Sequence, residues 1–239
     1  MQGKIYNRDP FLTKVANQLG KSQVAKKPEK SEWKYHPEKH ILEDVTQDEL
    51  VEILKEQCKS IHTQFVTANK DDLKQTIKKM VDEYGGGPIV AWKDDQFQKF
   101  GLSSLLNEEW PNENVEVHIW DPSVKGENIE RAEKANVGIA ISDLTLAESA
   151  TIILLSDKHR GRTVSFLPTT SVIIVPKSTI VPRLTQATRF LSEKVRRGEL
   201  LPSCINLISG PSYSADIEMM LVLGVHGPVK VSYIIVEDL

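Results

Sequence analysis

The sequence predicts an α/β fold built on a mainly parallel sheet with helices on both faces. Two observations predict it. Short apolar runs bounded by turn residues recur at 88–92, 115–120, 137–141, 152–155, 172–175, 205–208 and 229–236. Segments with apolar residues at helical spacing stand between most of them. No internal repeat is visible. No glycine-rich nucleotide loop follows a strand, and no nucleophile elbow or zinc-type Cys/His spacing is present.

Taken in order, Phe11, Leu12, Val15 and Leu19 fit a short amphipathic helix that stops at Gly20. Residues 21–39 are polar, basic and proline-containing, with lone aromatics Trp33 and Tyr35, and read as an extended arm. The arm is either a solvated strap or an element that reaches across a partner subunit. This sets a boundary between an N-terminal helix and arm, 1–45, and an α/β domain, 46–239.

Thr46-Gln47-Asp48-Glu49 is a capping box. It opens a helix with Leu50, Ile53, Leu54, Cys58, Ile61 and Phe65 inward. Asp71-Asp72 opens the next, with Leu73, Ile77, Met80, Val81 and Tyr84 inward and Gly85-Gly86-Gly87 as its stop. Further helices are expected after Asp94-Asp95, around Leu102–Leu106, over 127–135 and over 181–195, the last stopped by Gly198. His118 alternates with Val117 and Ile119 on a strand and reads as structural.

Two polar stretches interrupt the pattern. In 142–151, Glu148 is a general acid or base, a ligand hydrogen-bonder or a solvated loop acid. In 156–162, Arg160 and Arg162 lie in a turn carrying Lys158 and His159. That turn is either a solvated hairpin or the local source of positive charge for a carboxylate or phosphate.

The stretch from Cys204 to Glu218 is the expected functional centre. Ile205, Leu207 and Ile208 make a strand that breaks at Gly210-Pro211. Ser212 and Ser214 can cap a helix over 215–221, in which Ile217, Met220 and Leu221 face the core. Amides freed at such a helix start bind anions. Asp216 and Glu218 complement the helix dipole and, two residues apart, do not share a face. A second turn, Gly224 to Pro228, brings His226 to the same region.

The chain has 239 residues and a formal charge of −3, which gives no reason to expect nucleic acid. Cys58 and Cys204, far apart in apolar surroundings, read as reduced thiols and cannot ligate a four-thiolate iron–sulfur cluster. No metal site is expected. No apolar run reaches membrane-spanning length, and the N-terminus lacks a signal-peptide core, so a cytoplasmic protein is expected.

Several of these segments resemble one family. They are Ser209-Gly210-Pro211-Ser212 with Ser214 to Glu218, Leu221 to Pro228, Pro176 to Leu184, and Ala147-Glu148-Ser149-Ala150-Thr151. Together they are similar to lactate utilization protein C, a LUD-domain family. The resemblance implies a three-layer α/β sandwich like that of ribose-5-phosphate isomerase, glucosamine-6-phosphate deaminase and coenzyme A transferases. It also implies a component of a bacterial system that oxidises L-lactate to pyruvate, with iron–sulfur clusters on partner proteins and no cofactor on this chain. The family supplies no catalytic residues to carry over; Glu148, Ser212, Asp216, Glu218 and His226 are matched positions. Ser149 and Ala150 stand where many relatives have Thr and Gly, and Tyr213 is bulky for its position.

Three functions follow from this. The first is an accessory or ligand-binding subunit, with Ser209, Gly210, Pro211, Ser212, Ser214, Asp216, Arg160 and Arg162 receiving a small carboxylate and His226 near its hydroxyl. The second is a stand-alone isomerase, deaminase or acyl-CoA transferase using Glu148 or Glu218. The third is an interaction subunit, and homo-oligomerisation is compatible with each.

Overall fold

The computed structural model describes residues 5–22, 24, 34–36, 38, 40–217 and 220–238. The chain divides into two compact units, Met1–His40 and Ile41–Leu239. In the first, helix α1 spans Arg8–Gln18. Gly20 ends it in the left-handed region (φ 70°), and the Lys21 amide closes the last turn on the Ala16 carbonyl at 2.9 Å. Phe11, Val15 and Leu19 are exposed along it. Most of the expected arm, Trp33 included, lies outside the described residues.

In the second unit the capping box forms as read. The Glu49 amide donates to Thr46 Oγ1 at 3.3 Å, and the Thr46 amide donates to the Glu49 carboxylate at 2.8 Å. The Thr46 amide and hydroxyl, both donating to the Glu49 carboxylate, hold that carboxyl below its usual range. Helix α2 (Gln47–Ser60) is shorter than its apolar spacing suggests. His62 turns left-handed (φ 51°), and Phe65 belongs to a strand, β1 (Gln64–Ala68). No glycine or proline marks this break in the sequence. Helix α3 (Lys70–Glu83) stops where expected: Gly85 and Gly86 are both left-handed, and the Gly86 amide reaches the Val81 carbonyl at 2.9 Å.

Next come β2 (Ile89–Ala91), α4 (Asp95–Lys99) capped by Asp94, and a π-type turn running into α5 (Trp110–Asn112). They are followed by β3 (Val117–Ile119), α6 (Glu127–Lys134) and β4 (Val137–Ile141). Two short strands, β5 (Leu144–Leu146) and β6 (Thr151–Leu155), precede β7 (Thr170–Pro176) and β8 (Ile180–Val181). Helix α7 covers Leu184–Arg196, beginning three residues later than expected because Ile180 and Val181 pair in β8. Strand β9 is Ile205–Ile208.

The helix expected over 215–221 is not formed. The chain makes a hairpin instead, β10 (Tyr213–Ile217) with β11 (Met220–Leu223), before β12 (Lys230–Val236). A short apolar run satisfies either periodicity. Here pairing decides it: Ser214 opposes Val222, and the Gly224 amide donates to the Ser212 carbonyl at 2.9 Å.

Six strands form an all-parallel sheet in the order β1-β12-β7-β4-β2-β3. A second sheet, β8-β5-β6-β9, is mostly antiparallel. Adjacent residues of β12 show how the layers stack. Ser232 Oγ meets the Tyr84 hydroxyl at the end of α3, whereas Tyr233 Oη meets the β5–β6 turn. Successive side chains point to opposite faces, so α3 and the small sheet cover opposite faces of the large one. The small sheet is buried on both sides. Ala147, Ile152 and Leu154 join the main core, while Leu144, Leu146 and Ile153 pack with Ala187 and Phe190 of α7.

Candidate functional site

Two of the expected site residues, Ser209 and Gly210, join a seam around one buried hydroxyl. Tyr233, fully buried in β12, donates to the Ala150 carbonyl at 3.1 Å and accepts from the Gly210 amide at 3.3 Å. Burial pushes its phenol pKa up, so the group is a neutral hydrogen-bonder at ordinary pH. Thr151 Oγ1 continues the polar seam, lying 2.7 Å from both Ser149 Oγ and Ser209 Oγ. Ala150 adopts φ 47°, so the turn keeps the left-handed backbone that glycine would take there, at some cost in strain. One tyrosine thus clamps the Ala147–Thr151 and Ser209–Ser212 segments together.

The Gly210 turn differs from the expected helix start. Gly210 has φ 70°, and a Cβ there would stand 2.7 Å from the Ile61 carbonyl and 2.9 Å from Thr63 Oγ1. Gly210 and Pro211 are buried against the protein, and strand β9 is at the rim of the small sheet rather than inside the parallel one. No helix follows, so no row of free helical amides collects at this point. The second glycine turn does arrive: the His226 amide donates to Ser212 Oγ at 3.2 Å, and the Ser212 amide donates to the Pro228 carbonyl at 2.9 Å. Ser214 and Asp216 fall on β10, and Glu218 lies outside the described residues. Glu148 leaves this seam to pair with Arg183 at 2.6 Å. His118 accepts its structural role, with Nε2 2.8 Å from the Asn128 side-chain oxygen.

Arg160 sits elsewhere. Strands β2 and β4 are neighbours, but the chain leaves β2 toward β3 and leaves β4 toward β7. The crevice beyond their carboxyl ends is a topological switch point, where open α/β sheets bind ligands. Asp94 follows β2 and Asp143 follows β4. Arg160 bridges them, gripping both Asp143 oxygens, lying 3.4 Å from Asp94, and stacking its guanidinium 4.6 Å over the Trp92 ring. The three charged side chains are at most 14% exposed. The turn at 156–162 is therefore anchored inward, and both terminal nitrogens of Arg160 are engaged by Asp143, while its Nε and the facing Asp94 oxygen make no hydrogen bond. Arg162 is exposed, its guanidinium 5.7 Å over the Phe166 ring. The residue reading missed Tyr233, Arg183, Asp94 and Asp143. The two aspartates carried a signal: each stands two residues past the end of an apolar strand run.

The pattern that defines the LUD domain matches residues 51–236. The chain belongs to the LUD domain family. It is 55% identical over 236 residues to a lactate utilization protein C of Geobacillus sp. strain WCH70, spanning 99% of this chain and 98% of that one. A lactate utilization protein C of Bacillus subtilis strain 168 is 46% identical over 237 residues, spanning 99% of each. A crystal structure of a DUF162 family protein from Deinococcus radiodurans superposes with a TM-score of 0.56 at 15% identity, covering 80% of this chain and 99% of that one. At that identity the likeness concerns the fold of this LUD protein alone. No helix among the described residues is long and apolar enough to cross a membrane.

Proposed function

We propose that this LUD protein serves bacterial lactate utilisation as an accessory, ligand-binding subunit of a system that oxidises L-lactate to pyruvate. Its partners carry the iron–sulfur clusters, and the arm at 1–45 is an appendage of the domain at 46–239. The observation that carries the reading is identity of 46–55% across essentially the whole chain to proteins named lactate utilization protein C.

The chemistry of the chain supports a binding role. Burial pushes the Cys58 thiol pKa up to about 12, so it does not offer a thiolate to a cluster. The seam around Tyr233 consists of neutral hydroxyls and backbone groups, which suit positioning more than proton transfer.

The test is deletion of the gene and growth on L-lactate as sole carbon source. Growth is expected to fail and to return with the wild-type chain. Purification of the tagged chain from lactate-grown cells is expected to bring iron-containing proteins with it. Unimpaired growth of the deletion strain overturns the reading.

A further inference from the structure

We propose that a cleft between the Gly210-Pro211 turn and the starts of β1 and β12 binds the carboxylate of a short-chain monocarboxylic acid. This assignment rests on the lactate-utilisation reading for its ligand class and goes beyond it in naming the place.

The cleft measures about 330 Å³. Its apolar lining is Pro211, Leu223, Val229 and Val231, of which Pro211 and Val231 are buried. Leu223 and Val229 are 49% and 37% exposed, more than a core requires. Lys230 and His62 also line it. Among the described residues no carboxylate pairs with Lys230; its ammonium stands 5.8 Å over the Tyr84 ring, which attracts the cation without using its N–H donors on an acceptor oxygen.

His62 is held at the mouth by backbone and ring together. Its φ of 51° is unusual for a non-glycine residue, and its ring lies 5.8 Å from that of Tyr213. Among the described residues the one carboxylate lining the cleft, Glu83, is engaged by the Gln64 side-chain amide at 3.3 Å and faces Lys79 at 3.9 Å.

An ammonium and an imidazole beside an apolar wall exposed at Leu223 and Val229 suit a small anion with a hydrocarbon tail. The carboxylate takes the Lys230 donors, and the tail covers Leu223 and Val229. A phosphate would leave that wall wet, and a neutral amide would forgo the charge-assisted bond. The family segment Ser209–Ser212 thereby has a role beyond the Tyr233 clamp, since Pro211 is part of the wall.

The test is titration calorimetry of the full-length chain with L-lactate, pyruvate and the neutral isostere lactamide. Both acids are expected to bind, with lactamide at least about tenfold weaker. Lys230→Met is expected to weaken the acids by about tenfold or more. His62→Asn keeps a residue that tolerates the left-handed backbone while removing the imidazole, and is expected to weaken them less. Lys99→Met, on α4 past the carboxyl end of β2 and so at the opposite end of the parallel sheet from the cleft, serves as the control. Absence of binding by wild type, equal binding of lactamide, or undiminished binding by both Lys230→Met and His62→Asn overturns the assignment. The growth test is independent of the cleft, so growth lost on deletion with no carboxylate bound would sink this site and leave the lactate reading standing.

Discussion

The Tyr233 seam and the Arg160 crevice hold chain segments together by opposite means. The first uses neutral hydroxyls and backbone groups where no side chain is charged. The second places two carboxylates against one guanidinium, all three largely buried. The seam joins the segments that mark the family; the crevice occupies the place where the sheet topology favours a ligand. Motif density and topological position therefore point to different parts of this molecule, and neither is a guide to the other.

Arg160→Met separates them most. It leaves Asp143 and Asp94 covered without their cation, and urea unfolding at pH 7 is expected to show a loss of about 3–5 kcal/mol. A loss below about 1 kcal/mol would mean that the turn is solvated after all. Gly210→Ala is expected to come next, at about 2–4 kcal/mol, because it combines a left-handed backbone with a Cβ that meets the Ile61 carbonyl.

Tyr233→Phe removes the bonds to Ala150 and Gly210 and is expected to cost about 1–2 kcal/mol at pH 7. It also sharpens the contrast through pH. The folded pKa of Tyr233 is raised, so its contribution is complete below the ordinary phenol value of about 10 and is lost as pH climbs above it. Cys58 acts in the same direction, from its ordinary value toward about 12. Wild-type stability is thus expected to fall on the alkaline side, and Tyr233→Phe to flatten the fall above pH 10; an unchanged slope would show that the phenol does not titrate differently on folding. The smallest effect is Ala150→Gly, a gain of about 0.5 kcal/mol if relief of left-handed strain outweighs the added chain entropy. A loss there would mean that the alanine methyl packs better than its backbone suggests.

Much of the α/β alternation was legible in the residues. The capping box at Thr46, the glycine stop after α3 and the apolar strand runs each rest on local chemistry, and each forms as read. Phe65 shows the limit. Helical spacing carried it into α2, yet His62 turns the chain with no glycine or proline to announce it. The segment 215–221 shows the same limit in sharper form, since its apolar residues fit a helix until Ser214 finds Val222 across a hairpin. Of the candidate site residues, Ser209 to Ser212 and His226 do meet, Glu148 goes to Arg183, and Arg160 goes to the aspartates.

By itself the sequence determined the fold class and most of the helix ends, because these follow from periodicity, capping and turn chemistry within a few residues; the family came from the resemblance of its longer segments. Only the tertiary structure decided that Gly210 turns into a hairpin, that Tyr233 clamps two family segments, and that Arg160 spans Asp94 and Asp143. Those outcomes depend on partners far apart in the chain, which meet only once the strands have taken their order in the sheet.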